Sequence, residues 1–437
     1  MDSDIESKQI LDTNDLSVFG YLPPLPVSLN KSQYILFKDE ILICGGQYKR
    51  DCYSYHIVKN QYKLICSYPK KVELWAHSVV KRVDNKNPNT ITLLSFGGQP
   101  EQQVKYAMVM KYVSVWDEND KKDKDKDELY NQWTPLIDKD KNEIYIGKNE
   151  SNYWGVCAVI GGSNDHLLFI SYRPKNIDVF NLNTFQYVNE STLPTDNGDI
   201  CYHCFLPTMK KKNEMILFCK KTGFLIEYDE QHNTFQFQNL YVCASLRTLA
   251  SYIHVYIDDC ILFFGGHSLF SEPVNTVYKY SIQEKQWMKF EQTLPMKLSN
   301  GGAIMNGDNT YIHIFSRDNE AETATKHVRT KVEYWMKEPT AQEREWTSNE
   351  SERNEIEEMK FEVERMKEEI DLRELRVMEQ FVHLFVHFFR QKEIKVTLRY
   401  WIRSFFINKG WINDFDNLIS RYILVCLNPF FFKKLFL

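Results

Sequence analysis

The residues best suited to metal chemistry in this sequence are the cysteines and the histidine of the stretch CYHC, residues 201–204. Cys201 and Cys204 have the Cys-x-x-Cys spacing of half a zinc site, and His203 lies between them. A structural zinc ion needs four ligands, and no second pair of matching spacing is found in the chain. We therefore predict two ordinary cysteines on a strand, with no metal site and no cofactor.

A pair of histidines in the C-terminal part, His383 and His387, is the second candidate for metal binding. Their i, i+4 spacing places both on one face of a helix, as in zinc sites built on helices. Because no third ligand accompanies them, we interpret them as packing residues.

The sequence lacks the local motifs of common catalytic sites. Phosphate-binding loops, His-Glu-x-x-His helices and Gly-x-Ser-x-Gly turns do not occur. The net charge is −5, with 54 Lys and Arg against 59 Asp and Glu, so the chain has no basic excess that would favour a phosphate backbone. We predict that the protein is not an enzyme, has no catalytic residue and does not bind nucleic acid.

A repeated sequence pattern indicates the strands that would position a functional site. The stretch ILICGG, residues 41–46, joins an apolar run to two glycines and is followed by aromatic residues. The same order of features recurs, with or without the glycines, five more times. The positions that match the second glycine are 46, 98, 172, 220, 266 and 317. The marker pairs that follow are Tyr55/Tyr62, Tyr112/Trp133, Phe180/Tyr187, Tyr228/Phe235, Tyr280/Trp287 and Val328/Trp335.

Six copies of this sequence repeat, each long enough for four short strands, predict a six-bladed β-propeller. The apolar run suits a strand that is buried between neighbouring blades and need not alternate. Two glycines after it allow positive φ angles or a close approach of another strand. The marker aromatics, on successive strands, fill the wedge between blades. The aromatic content of 14% suits such an all-β fold.

With these features the sequence resembles the kelch-repeat family. The glycine pairs at 45–46, 97–98 and 265–266, each with its following aromatics, carry the resemblance, which covers about residues 16–337. The third, fourth and sixth copies depart from the family pattern because they lack the pair. The resemblance implies a propeller that serves as a protein-binding platform.

Some propellers of this kind are enzymes, and that alternative stays open. Copper radical oxidases of the fold use two tyrosines, two histidines and a cysteine cross-linked to one tyrosine. This chain has 25 Tyr and 11 His, but no local motif places them together. Sialidase-type propellers carry Ser-x-Asp-x-Gly-x-x-Trp boxes, which are absent. The alternative function is therefore an enzyme acting on carbohydrate, as an oxidase or on sialic acid.

The propeller must join its last blade to its first, since open sheet edges invite unwanted pairing. The stretch LSVFGYLPPLP (16–26) aligns with KQWMKFEQTLP (285–295), the outer strand of blade five. We therefore predict that residues 16–22 supply an outer strand to the last blade. The Leu-Pro pairs in these stretches, and a third in STLPTD (191–196), suit the end of an outer strand.

Composition divides the chain into four segments. We predict a disordered N-terminus (1–15), a propeller (16–338), a charged helix (339–380) and an apolar and basic helical tail (381–437). The insertion DENDKKDKDKDE (117–128) is charged at eleven of twelve positions and is predicted to be a disordered loop.

The C-terminal extension carries a short apolar seam at helical spacing. Its members are Ile356, Met359, Val363, Met366 and Ile370. The spacing favours a short coiled coil, with self-association through residues 356–381. Three interpretations of the tail 381–437 stay open. It is a pair of helices that packs on the propeller or on the preceding helix, a set of helices that binds a partner, or a segment that lies on an anionic membrane surface. The stretch WIRSFFINKGWINDFDNLISRY resembles a helical segment that follows kelch propellers in some protist proteins.

We expect a cytoplasmic, non-catalytic scaffold that binds a protein partner through propeller loops. The N-terminus is polar and acidic, unlike a signal peptide, and the ten cysteines are scattered singly, as in reduced proteins. The loops expected to make contacts are Gln47–Asp51, Gln99–Lys105 and His267–Asn275, with His267 at the end or in the channel of the propeller. A membrane-peripheral adaptor that uses the basic tail is a further alternative.

Overall fold

A computed structural model describes residues 18–25, 27–83, 87–117, 129–196, 198–268, 272–317 and 325–369, with side chains for all of these except residue 83 and residues 363–369. Three predicted features fall outside these residues: the disordered N-terminus, the charged loop from residue 118 onward and the helical tail 381–437.

The described chain forms six antiparallel sheets of four strands each, which are the six blades of the predicted propeller. Blade one contains β2 (Gln33–Phe37), β3 (Glu40–Gly46), β4 (Lys49–His56) and β5 (Gln61–Ser67). Blade two contains β6 (Ser78–Val83), β7 (Ile91–Phe96), β8 (Ala107–Tyr112) and β9 (Thr134–Pro135). Blade three contains β10 (Asn152–Gly161), β11 (Leu167–Arg173), β12 (Asn176–Asn181) and β13 (Gln186–Thr192).

The remaining blades follow the same order, with one exchange at the end. Blade four contains β14 (Cys204–Pro207), β15 (Glu214–Cys219), β16 (Thr222–Asp229) and β17 (Thr234–Asn239). Blade five contains β18 (Ile253–Ile257), β19 (Cys260–Phe264), β20 (Val277–Ser281) and β21 (Gln286–Lys289). Blade six contains β22 (Gly302–Met305), β23 (Tyr311–Arg317), β24 (Thr325–Lys331) and the N-terminal strand β1 (Phe19–Leu25).

The core lies between the blades. Six clusters of buried apolar side chains each join two neighbouring blades. The second strand of each blade supplies much of this core, and β3 and β15 are buried along their whole length. Burial on both faces explains why these strands have apolar runs without alternation.

The seven-residue spacing of the marker residues follows from strand register. Tyr55 on β4 and Tyr62 on β5 are direct cross-strand partners, with ring centroids 4.9 Å apart. The corresponding pairs in blades three, four and five are also cross-strand partners: Phe180/Tyr187, Tyr228/Phe235 and Tyr280/Trp287. A tight turn between third and fourth strands therefore produces the spacing.

Two of the predicted marker pairs are wrong. Trp133 does not pair with Tyr112; its ring stacks on Tyr68, with centroids 4.5 Å apart, because the insertion in blade two shifts the chain. Trp335 lies not on a strand but in a short helix, α1 (Val332–Trp335). Its ring packs against Phe290, with centroids 4.9 Å apart, because β1 already occupies the outer position of blade six.

The predicted N-terminal closure is confirmed, with a shift in its bounds. Strand β1 pairs antiparallel with β24 and spans Phe19–Leu25, against the predicted 16–22, of which residues 16 and 17 lie outside the described residues. Phe19 packs on Trp335, with ring centroids 5.8 Å apart, and Leu25 is fully buried. The buried Leu25, Leu193 and Leu294 are the leucines of the Leu-Pro pairs, so each pair anchors the end of an outer segment in the core.

The first part of the charged helix predicted at 339–380 is observed as α2 (Ala341–Glu369). Residues 370–380, with Ile370 of the predicted coiled-coil seam, lie outside the described residues. Helix α2 begins with a capping box, in which Thr340 N–H donates to Glu343 Oε2 (2.9 Å) and Glu343 N–H donates to Thr340 Oγ1 (3.2 Å). Two compact units divide the chain after Glu350, so the start of α2 belongs to the first unit. Within the described ranges, no helix combines the length and the apolar character needed to cross a membrane.

Candidate functional site

The three loops expected to make contacts lie at one end of the propeller. They connect the second and third strands of their blades, and each is hydrogen-bonded to a segment that leads into an inner strand. Gln47 N–H donates to Asn30 O (2.6 Å), and His267 N–H donates to Ala250 O (3.0 Å). Gln99 Nε2 donates to Glu73 O (2.7 Å). We call this end, formed by these loops and the blade-linking segments, the Gly-Gly face.

A ring of six residues surrounds the central channel at the Gly-Gly face. Each member lies two residues before the inner strand of its blade, except in blade three, where it lies within β10. All six have left-handed φ angles, which range from 50° to 69°. The members, in blade order from one to six, are Lys31, Ala76, Gly155, Tyr202, Ser251 and Asn300. We call this set the mouth ring.

Backbone hydrogen bonds join neighbouring members of the mouth ring in two arcs. In one arc, Tyr202 N–H donates to Gly155 O (3.3 Å) and Gly155 N–H donates to Ala76 O (3.2 Å). In the other, Lys31 N–H donates to Asn300 O (2.9 Å) and Asn300 N–H donates to Ser251 O (3.0 Å). These four bonds join neighbouring blades at four of the six junctions and satisfy the N–H groups of four ring members.

Gly155 shows why one ring member must be glycine. Its φ is +69°, and a Cβ added there would lie 2.7 Å from Cδ1 of Tyr202. No other residue fits so close to the aromatic ring without displacing it. The glycine therefore allows Tyr202 to fill the mouth of the channel.

The side chain of Lys31 crosses the mouth. Its Nζ lies 3.6 Å from the centroid of Tyr202 and 5.7 Å from that of Trp75. Because six blades form a ring, the segments leading into blades one and four face each other across the channel. The Lys31–Tyr202 contact is thus a cation–π interaction that spans the opening.

Three further aromatic residues extend from this contact over the Gly-Gly face. The indole of Trp75 stacks on Trp154, with ring centroids 4.8 Å apart, and meets the edge of Tyr48, with centroids 4.9 Å apart. The Tyr48 side chain is 66% exposed. Together with Tyr202, these residues form what we call the mouth aromatics: Tyr48, Trp75, Trp154 and Tyr202.

Burial sets the electrostatics of the mouth. It lowers the pKa of Lys31 to about 8, against a smaller opposing effect of Cys201. His267, one of the residues singled out in the sequence, lies close enough to interact with Lys31; burial first and Lys31 second lower its pKa. Its predicted place at the end of the propeller agrees with the structure.

Behind the mouth ring lies a cavity of about 570 Å³ to which all six blades contribute. Among the described lining residues, Lys31 is the only Lys, Arg, Asp or Glu. His203 and His254 also line it; burial lowers their pKa values to about 3 and about 4, so both are neutral at physiological pH. His203 is 2% exposed, and its Nδ1 has no hydrogen-bond partner within the described part of the chain.

The side chains of His203 and Cys204 in the stretch CYHC lie in different environments. His203 lines the cavity, with Nε2 3.1 Å from Ser171 Oγ. Cys204 is fully buried in the apolar seam between blades four and five, where burial raises the pKa of its thiol. In the described ranges, no three His, Cys, Asp or Glu side chains converge as metal ligands would. His383 and His387 lie outside the described residues.

Two residues of the expected contact loops are directed inward. Lys105 is 1% exposed, and its Nζ donates to the carbonyl oxygens of Pro100 (2.6 Å) and Gln103 (2.8 Å). Gln99 is buried by its bonds to Glu73 and Gly97. These side chains fix their loop and are not available to a partner, so that part of the expected contact stretch is wrong.

Sequence reasoning missed the mouth ring and three of the four mouth aromatics. The six ring members share a backbone conformation but have six different side chains, so no letter recurs at the position. Their common signal is their place just before an inner strand, and those strands are too short and irregular to align by eye. Only Tyr48 fell within a predicted contact loop.

Comparisons with known proteins leave the family open. A scan against models of protein families finds no match, and a search of curated proteins finds none either. Among solved structures 1058 chains match. One of them, titled "Structure of YjhT", aligns over 71% of this chain and 96% of that chain, with 11% identity and a TM-score of 0.49. The six-bladed architecture stands on the sheet pairing of this chain itself.

Proposed function

We propose that this protein is a kelch-type propeller that acts as a non-catalytic interaction module and binds a protein partner through the Gly-Gly face. The observation that carries the proposal is the group of mouth aromatics, which joins four Tyr and Trp side chains on one face. Tyr and Trp are enriched among the residues that dominate protein–protein binding energy.

Rigidity of the face supports this function. The mouth aromatics lie on or beside segments held by the mouth ring, and Lys105 and Gln99 pin the neighbouring loop from within. A preformed surface loses little side-chain entropy on binding, so more of the contact energy appears as affinity. The net charge of the chain is −5, and this does not favour nucleic acid as the partner.

A photo-crosslinking experiment on the full chain tests the face. A benzophenone amino acid replaces either Tyr48 or Val58; both side chains are well exposed, at 66% and 75%, and Val58 lies in the β4–β5 turn at the other end of the blade. We expect a discrete protein to be captured from position 48 and not from position 58.

The same capture should be lost in Trp75→Ala, provided the variant keeps the wild-type melting profile. Identical captured proteins from both positions, or capture that is insensitive to Trp75→Ala, would remove the basis for placing recognition on the Gly-Gly face. A second copy of this chain captured from position 48 would instead indicate self-association through the Gly-Gly face.

A further inference from the structure

We propose that the mouth of the central cavity is a binding site for a small organic carboxylate, whose negative charge is paired with the ammonium group of Lys31. This site is separate from the proposed partner-binding function, because it uses the inside of the mouth and requires no protein partner.

The charge of the cavity favours an anion. Lys31 is the only Lys, Arg, Asp or Glu among the described lining residues, and no described carboxylate pairs with it. Its Nζ lies over the rings of Tyr202 and Trp75. A half-buried ammonium with only aromatic partners remains poorly compensated for its lost hydration. An anion that enters the mouth would supply the missing partner, and burial would strengthen their attraction.

The number of available donors favours a carboxylate over phosphate. Backbone N–H groups of Lys31, Gly155, Tyr202 and Asn300 already donate within the mouth ring, so they cannot form the anion-binding nest that a phosphate group uses. Among the described lining residues the ammonium of Lys31 is the one cation, and the buried His203 and His254 are neutral polar groups whose Nδ1 atoms have no hydrogen-bond partner in the described part of the chain. A single cation among neutral polar groups matches a ligand with a single negative charge.

The size and lining of the cavity favour a small organic molecule. Its volume of about 570 Å³ lies within the range of about 300–1,000 Å³ that is typical of ligand pockets. Apolar lining residues such as Val156, Phe205 and Ile304 alternate with polar ones. A ligand with an apolar body and one carboxylate therefore matches both the wall and the charge at its rim.

The test measures binding of benzoate to the full-length protein by ligand-observed NMR, with benzamide as the neutral analogue of the same shape. We expect benzoate to bind at least about tenfold more tightly than benzamide, the usual weight of a charge-assisted hydrogen bond. Lys31→Met should remove this preference, and Lys31→Arg should keep it. Equal binding of the two probes, or an unchanged preference in Lys31→Met, would overturn the proposal.

A matched lysine on another part of the propeller controls for general loss of charge. Lys63 also lies over an aromatic ring, with Nζ 4.4 Å from the centroid of Trp116, but it belongs to the outer strand of blade one. Lys63→Met should bind benzoate as the wild type does.

A capped Ala-Glu-Ala tripeptide distinguishes a free carboxylate from the acidic side chain of a protein. It should bind more weakly than benzoate; tighter binding by the peptide would overturn the assignment to a small molecule. If no protein is captured from position 48 but benzoate still binds, the proposed partner-binding function is refuted and the carboxylate site is not.

Discussion

The amine of Lys31 lies 3.6 Å from the ring centroid of Tyr202, although the two residues lead into blades on opposite sides of the propeller. The contact closes part of the channel mouth with one flexible side chain. A cation–π contact of this kind is worth about 0.5–2 kcal/mol. That is weak enough for a ligand or a partner to displace it, so the mouth can open without unfolding of a blade.

The strength of this contact can be measured with a double-mutant cycle. We expect Lys31→Met and Tyr202→Leu to show a coupling free energy of about 0.5–2 kcal/mol in urea unfolding. Additive effects of the two substitutions would show that the contact contributes nothing to stability. Lys63→Met combined with Tyr202→Leu is the control pair and should be additive, because Lys63 Nζ lies over the ring of Trp116 and not over that of Tyr202.

The N-terminal strand closes the propeller through buried aromatic packing. Phe19→Ala should lower the free energy of unfolding by about 3–5 kcal/mol, because it empties a buried site beside Trp335. Tyr21 is 67% exposed on the same strand, so Tyr21→Ala should change stability by no more than about 0.5 kcal/mol. Equal effects of the two substitutions, measured by urea unfolding, would contradict a closing role for the packed face of β1.

The glycine pair of blade five is required by backbone geometry. Gly265 has a φ of +63°, and an added Cβ would lie 2.2 Å from Leu298 O. We expect Gly265→Ala to cost more than about 2 kcal/mol or to prevent folding, because a backbone carbonyl cannot move aside cheaply. Gly198 has no atom within 4 Å of the corresponding position, so Gly198→Ala should be neutral within about 1 kcal/mol. Similar melting temperatures for both variants would argue against this account.

Buried histidines should make the propeller sensitive to acid. Burial lowers the pKa of His203 to about 3 and that of His313 to about 4, both from 6.5. Below pH 6.5 the unfolded chain therefore binds more protons than the folded one, and stability falls as the pH falls from 6.5 toward 4. For His313 alone the loss is of the order of 3 kcal/mol.

A single substitution tests this pH dependence. His203→Gln should flatten the fall in unfolding free energy between pH 6.5 and 4. Val58→Ala, at a position that does not titrate and is 75% exposed, is the control and should keep the wild-type slope. If His203→Gln keeps the full wild-type slope, protonation of His203 does not contribute to acid unfolding.

The carboxylate of Glu350 helps to fix the start of α2 to the propeller. Glu350 Oε1 accepts hydrogen bonds from Tyr241 OH and from Ala244 N–H, both 2.7 Å long. Glu350→Ala leaves a backbone donor unsatisfied and should cost about 1–3 kcal/mol locally. Hydrogen exchange of residues 341–350 should accelerate in this variant. It should not accelerate in Glu345→Ala, where the side chain is exposed on the same helix.

The fold was predictable because its signals are local. Two of the apolar runs that end in glycine form strands β3 and β19. Four of the six marker pairs are direct cross-strand partners. Where a loop was inserted, as before Trp133, the spacing no longer reported register. Trp335 was misassigned because the N-terminal β1 takes the strand position that its spacing suggested.

The candidate site was not predictable in the same way. Lys31, Trp75 and Tyr202 lie in three linking segments that resemble ordinary loops, and nothing in their spacing relates one to another. Two residues of the predicted contact loop, Gln99 and Lys105, are polar and were expected outside; their bonds to nearby carbonyl groups hold them inside. Polarity alone does not tell whether a donor faces solvent or a backbone oxygen.

The sequence by itself determined the number of blades, the buried strands and the closure by an N-terminal strand, because hydrophobic runs, turn residues and strand pairing act over short stretches of chain. Only the tertiary structure decided that six left-handed linking residues form one ring and that Lys31 reaches Tyr202 across it. Ring closure brings together residues that are distant in sequence, and the geometry of that closure comes from the packing between blades.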